Sequence, residues 1–223
     1  MTTYAVKEVF YTLQGEGART GRPAVFCRFS RCNLWSGREN DRQGATCQFC
    51  DTDFVGTDGP GGGLFHDAAS LAEHVADRWP SGERPSGEHR PSDEHSVRYV
   101  VCTGGEPLLQ LDPPLLDALH ERDFEIAIET NGTILVPPGV DWVCMSPKAN
   151  AETIVTEGDE LKLVFPQPGA EPERFESMSF EHFFLQPMAG TETARNTALA
   201  VEYCLAHPKW RLSLQTHKLL GIP

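Results

Sequence analysis

The chain reads as an α/β fold, an incomplete barrel built on a parallel sheet with some of its crossover helices missing. Three observations point there. In the second half, apolar stretches of strand length follow one another, and each ends in polar residues. Helical patterns lie between some of them, and strands alternating with helices imply parallel pairing. The chain has 223 residues, fewer than the roughly 250 of a full eight-unit barrel.

In order along the chain, Ala5 to Tyr11 alternates as a strand and runs into Thr12-Leu-Gln-Gly-Glu-Gly17. That turn is either an ordinary solvated loop or one that brings backbone groups, Gln14 and Glu16 to a ligand. Pro23 to Phe29 is a second strand. Alternation puts Val25, Cys27 and Phe29 on one face and Phe26 and Arg28 on the other. Arg28 is then a buried ion-pair partner or a clamp for a carboxylate. The glycine-rich run from Thr57 to Gly63 is irregular, and it lacks the Lys and Ser/Thr of a phosphate-binding loop. Asp67 caps a helix through Trp79, with Ala68, Leu71, Val75 and Trp79 on one face, and Pro80 ends it.

Residues 81–96 hold an imperfect repeat, Arg84 to His89 and Arg90 to His95, with almost no apolar side chains. The expectation is a mobile surface insertion, with His89 and His95 solvated. The strand ends follow. Val97 to Cys102 leads into Thr103-Gly-Gly-Glu106, Phe124 to Ile128 into Glu129, and Val140 to Met145 into Ser146-Pro-Lys148. Leu161 to Phe165 leads into Pro166, His182 to Leu185 into Gln186-Pro-Met188, and Trp210 to Leu214 into Gln215-Thr-His217. Asp112 and Pro113 open a helix over Leu115 to Arg122. Ala194, Ala198, Val201 and Leu205 mark another, stopped by Pro208. Cys102, Cys144 and Cys204 fall on these apolar elements and read as core. The connections at 131–139 and 149–160 are too short, or too rich in proline and glycine, for crossover helices. In parallel barrels the site lies at the C-terminal strand ends, so the polar signatures there describe one shared site. The 81–96 segment belongs to the opposite mouth.

Composition bounds the function. Hydrophobic residues make up 39% and charged residues 23%, as in an ordinary globular chain. A formal net charge of -13 with no basic patch argues against nucleic acid as a partner. No signal peptide is visible, and no run approaches the ~18 apolar residues of a membrane span, so no membrane partner is expected. Seven cysteines are too sparse for a disulfide scaffold and fit thiols in a reducing cytoplasm.

Three cysteines fall between Cys32 and Asp53. Fourteen residues separate Cys32 from Cys47, and two separate Cys47 from Cys50. A closed zinc site wants four protein ligands, which His66 would complete in a non-catalytic binding module. Three cysteines alone would hold an iron–sulfur cluster with one iron open.

This cysteine loop, the Gly-Gly-Glu and the polar strand ends resemble the radical S-adenosylmethionine superfamily. The long first gap, the Thr12–Gly17 motif and the final Gln215-Thr-His-Lys-Leu-Leu-Gly-Ile-Pro223 resemble the 7-carboxy-7-deazaguanine synthases of queuosine and deazapurine biosynthesis, over nearly the whole chain. The resemblance implies a single domain with a partial TIM-like barrel. It also implies the reaction: 6-carboxy-5,6,7,8-tetrahydropterin loses ammonia and contracts to 7-carboxy-7-deazaguanine. Cys32, Cys47 and Cys50 would hold a [4Fe-4S] cluster that splits S-adenosylmethionine to a radical. Leu13, Gln14, Gly15, Glu16, Arg28, Thr103, His217 and the terminal Pro223 would hold the pterin, and Thr52 would hold Mg2+. Phe49, Cys50, Asp51, Gly105, Glu106, Ser146, Pro147, Lys148, Gln186, Pro187, Met188 and Ala189 would surround S-adenosylmethionine, Glu106 by its ammonium. A homodimer and a flavodoxin- or ferredoxin-type electron donor are implied as well. A glycyl-radical activase shares the cluster and the Gly-Gly-Glu but has no need of a pterin pocket.

Overall fold

The computed structural model describes residues 3–80 and 97–223, so the insertion expected at 81–96 lies outside the described residues. Nine strands form one sheet: β1 (Tyr4–Leu13), β2 (Pro23–Phe29), β3 (Gly63–Phe65), β4 (Arg98–Gly104), β5 (Phe124–Thr130), β6 (Trp142–Met145), β7 (Glu157–Phe165), β8 (Ser179–Pro187) and β9 (Trp210–Leu212). Their order is β3-β1-β2-β4-β5-β6-β7-β8-β9. Every neighbouring pair from β2 onward is parallel, while β1 runs antiparallel to β2 and β3. The helices are α1 (Ala68–Ala76), α2 (Pro113–His120), α3 (Thr193–Ala206) and α4 (Thr216–Leu220).

Crossover helices are missing where expected. No helix joins β5 to β6 or β6 to β7, and a single 3-10 turn, Pro172–Arg174, lies between β7 and β8. Asp67 and Asp112 cap α1 and α2 as the sequence predicts, accepting from the Ser70 and Leu115 backbone amides. Each such cap is worth about 1 kcal/mol. The helices pack on one face of the sheet. Leu71 and Val75 of α1 and Leu115, Leu116 and Leu119 of α2 cover Val25, Cys27, Phe29, Val100 and Ile126. Ala200 of α3 joins Leu161, Leu163, Phe183, Leu185 and Trp210. The opposite face, turned to the barrel interior, buries Phe26, Tyr99, Val101 and Ala127.

The face expected for α3 is corrected. Ala194, Ala198, Val201 and Leu205 are exposed, and Asn196 and Ala200 are the buried pair. Asn196 Nδ2 donates to the Met188 carbonyl at 2.9 Å, and that bond sets the helix phase. Cys204 is accordingly half-buried at the margin of the core.

Strand pairing does not close the barrel. The turn after β1 spans the gap instead. The Gly15 carbonyl accepts from both the amide and the hydroxyl of Thr216, each at 2.9 Å. The Gly17 amide donates to Ser213 Oγ at 2.9 Å and the Ala18 amide to Glu160 Oε2 at 2.8 Å. A side chain at Gly15 would meet His217 Nδ1 at 2.2 Å, so this approach needs glycine.

Candidate active site

The C-terminal strand ends and the Thr12–Gly17 turn surround a cavity of about 380 Å³. That is within the range of small-molecule sites. One wall carries Leu13, Gln14, Gly15 and Glu16 from the turn, Arg28 from β2, and Thr103 and Gly105 at the end of β4. The other carries Ser146 and Lys148 after β6, Gln186, Pro187, Met188 and Ala189 at the end of β8, and His217 in α4. Pro223 reaches the same cavity, where its carbonyl accepts from Thr12 Oγ1 at 3.0 Å. Cys47, Phe49, Cys50, Asp51 and Thr52 form the mouth.

The thiols are chemically distinct. All seven cysteines are free. A hydrogen bond from the Cys47 thiol, assisted by the Thr52 backbone, draws the Cys50 thiol down to about 6 against its burial. Cys47 is raised by that same bond and by burial. Cys32 lies behind the wall and is raised mainly by burial, although the Leu34 amide donates to its sulfur at 3.4 Å. Gly105 is what lets the β4 end lie against this segment: a Cβ there would sit 2.2 Å from the Arg31 carbonyl and 2.7 Å from Cys32 Cβ. Lys148 faces the mouth. Burial lowers its pKa, opposed by Cys47 and Cys50, and its ammonium donates to Ser146 Oγ at 2.6 Å.

This donor set suits an iron–sulfur cluster. Among the described residues, no three His, Cys, Asp or Glu side chains are grouped closely enough to hold a metal ion. Three free cysteines, each able to bind a different iron, would leave the fourth iron of such a cluster open.

The floor of the cavity is charged. Lys162 of β7 is 6% exposed and donates to Glu16 Oε2 at 2.5 Å and Glu129 Oε1 at 3.2 Å. Gln14 Nε2 and Thr103 Oγ1 both donate to Glu129 at 3.2 Å, and Gln215 Nε2 donates to Glu16 at 3.0 Å. Burial alone would raise the Glu16 carboxyl, but Lys162 overrides it and holds it at about 2. Burial lowers His217, with Glu16 opposing. Near the mouth, Arg28 Nε donates to Glu8 at 2.7 Å, and its terminal amino groups make no hydrogen bond among the described residues. Lys218 pairs with Asp51 at 2.6 Å and so ties α4 to the cysteine loop.

Two expected contacts are placed differently. Glu106 is 0% exposed and lies off the cavity wall. It accepts from the Leu108 amide, Thr130 Oγ1 and the Asn131 amide at 3.0, 2.8 and 2.8 Å, so it ties the β4 end to the β5 end. Its pKa is raised by burial. Pro147 is also buried off the wall, its carbonyl accepting from Gln167. Sequence reasoning missed Lys162 as a site residue, and it put Glu129 at a strand end without giving it a role. The available signal was a lysine between Leu161 and Leu163, which a half-buried strand does not place on its core face.

A partial parallel barrel with a three-cysteine loop at its C-terminal mouth defines a radical S-adenosylmethionine enzyme, a class that works with a [4Fe-4S] cluster and S-adenosylmethionine. No family model matches the chain. It is 64% identical to the 7-carboxy-7-deazaguanine synthase of Bordetella pertussis, with 99% of each chain covered. It is 61% identical to that of Caulobacter vibrioides, over 99% of this chain and 100% of the relative. The crystal structure of QueE from Escherichia coli matches with a TM-score of 0.65 and 27% identity, over 95% of this chain and 93% of the other. The chain belongs to the 7-carboxy-7-deazaguanine synthase family, radical S-adenosylmethionine lyases of queuosine biosynthesis.

Proposed function

We propose that this chain converts 6-carboxy-5,6,7,8-tetrahydropterin to 7-carboxy-7-deazaguanine with loss of ammonia. The observation that carries this reading is the polarity of the cavity. An arginine fork on β2 and a Glu16–Lys162–Glu129 cluster both line it. A carboxylated ring carrying nitrogen donors offers a partner to each. A glycyl-radical activase would leave that floor without a partner.

When bound, the reduced cluster and S-adenosylmethionine supply the radical that starts turnover. The chain's own residues do the rest. Cys32, Cys47 and Cys50 would hold the cluster. Support for Arg28 as the carboxylate clamp comes from its unfilled terminal amino groups, with Glu8 fixing the fork. Gln14, Gly15, Glu16, Thr103 and His217 would hold the ring, and their closed hydrogen-bond network keeps them in place before a ligand arrives. Ser146, Lys148 and Gln186 to Ala189 would border the adenosine, with Phe49 and Gly105 beside its methionine part. Thr52 would give Mg2+ a hydroxyl oxygen, next to the Asp51 carboxylate. The whole chain would act as one catalytic domain, since the strand ends of one sheet and the loops between them together line the cavity. A homodimer, a flavodoxin- or ferredoxin-type donor and a cytoplasmic setting belong to the same proposal, the last supported by the seven free thiols. Among the described residues, no helix is long and apolar enough to cross a membrane. Replacing Cys47 by Ala tests the assignment: the variant should lack the brown cluster and all turnover, and retention of full iron and sulfide would contradict it.

A further inference from the structure

The long gap between Cys32 and Cys47 raises a physical problem. A flexible loop of this length carries a closure entropy that leaves the C-x-x-C turn poorly fixed relative to Cys32. Here the loop folds on itself. The Thr46 amide donates to the Leu34 carbonyl at 3.1 Å and so brings its two ends together. Trp35 is 8% exposed, packs edge-on against Phe54 with centroids 5.6 Å apart, and donates to the Arg38 carbonyl at 3.2 Å. A 3-10 turn over Glu39–Gly44 then carries Arg42 back across the Trp35 ring, with the guanidinium 4.1 Å from its centroid.

From there Arg42 reaches the ligand turn itself. One terminal nitrogen, Nη1, donates to the Gln48 carbonyl at 2.9 Å and to the Cys50 carbonyl at 3.1 Å. Its Nε is held by both oxygens of Glu39, at 2.8 and 2.9 Å. The guanidinium is thus used by a ring face, a carboxylate and two backbone carbonyls at once. A lysine cannot reproduce that arrangement, because it is a point charge with no planar fork.

We propose that Arg42 is the positioning residue of the cluster site, a splint inside the loop that fixes the backbone between Cys47 and Cys50. It touches no reacting atom. It holds the backbone that carries two of the three cluster thiolates. The inference rests on the cluster assignment above, and the experiment separates the two.

Arg42→Met keeps the stem over Trp35 and removes the bonds. Arg42→Lys keeps charge and loses the fork. Arg38→Met removes the same charge from the same loop, where that side chain makes no hydrogen bond among the described residues. Anaerobically reconstituted proteins are compared for iron and sulfide per chain, for the reduced-cluster paramagnetic resonance spectrum, and for the rate of iron loss to a ferrous chelator. Melting temperature is recorded alongside. Both Arg42 variants should lose iron about tenfold faster, the factor that one charge-assisted hydrogen bond is worth, while Arg38→Met should match the parent. If Arg42→Met fails to fold, Arg42→Lys carries the test. Equal retention in the Arg42 variants overturns the proposal. So does equal acceleration in Arg38→Met, or a loss of iron that only follows a lowered melting temperature. Absence of iron from the parent protein would instead overturn the cluster assignment.

Discussion

Replacing Lys162 by Met removes the cation that Glu16 and Glu129 share at the cavity floor. Lys162 is 6% exposed and Glu16 13% exposed, so neither charge is solvated away. Removing one partner of such a pair costs about 3–5 kcal/mol, a large share of a domain's stability. The pH dependence identifies the cause. In the parent, the folded Glu16 pKa of about 2 lies below its unfolded value. That contribution is fully present above the unfolded pKa of about 4.3 and fades as pH falls toward 2. In the variant, burial faces only the Gln215 hydrogen bond and His217, and the folded pKa rises above the unfolded one. The folded state then binds the extra proton, and stability falls as pH rises between the two values. Anaerobic urea unfolding from pH 5 to 8 should show the gap between parent and variant widening, by up to about 1.4 kcal/mol per pH unit. Pterin affinity should fall together with stability at high pH. A gap that stays constant across this range would refute the electrostatic account of the floor.

Two further outcomes are expected. Thr52→Ala should keep iron and sulfide and shift half-saturation by Mg2+ upward by about tenfold, the equivalent of ~1.4 kcal/mol; titration of turnover against Mg2+ checks it. Deleting residues 82–95 should leave kcat/KM within about twofold, since Val97 directly precedes β4 and neither it nor Pro80 lines the cavity. A large loss would place that segment at the site.

Much of the fold is legible in the sequence because local pattern and tertiary role coincide. The strand from Pro23 to Phe29 alternates, and its two faces became the helix-covered core and the barrel interior with Arg28. Helix α3 is less legible. Its alanines fit either side, so a tertiary bond from Asn196 to Met188 chose the phase. The surroundings of Glu106 are less legible for a related reason. Spacing placed it at a strand end, but the backbone at Gly104, with a φ of +145°, turns the chain inward so that the carboxylate caps Leu108 and anchors Thr130 and Asn131. Lys162 and Glu129 meet Glu16 only after β5, β7 and the Thr12–Gly17 turn converge, and no local window contains that meeting.

Anaerobic turnover tests the central claim most directly. The reconstituted enzyme is supplied with a reductant, S-adenosylmethionine, Mg2+ and 6-carboxy-5,6,7,8-tetrahydropterin. The account predicts 7-carboxy-7-deazaguanine and ammonia in equal amounts, with S-adenosylmethionine required but regenerated. An iron-loaded enzyme that forms no deazaguanine would contradict it.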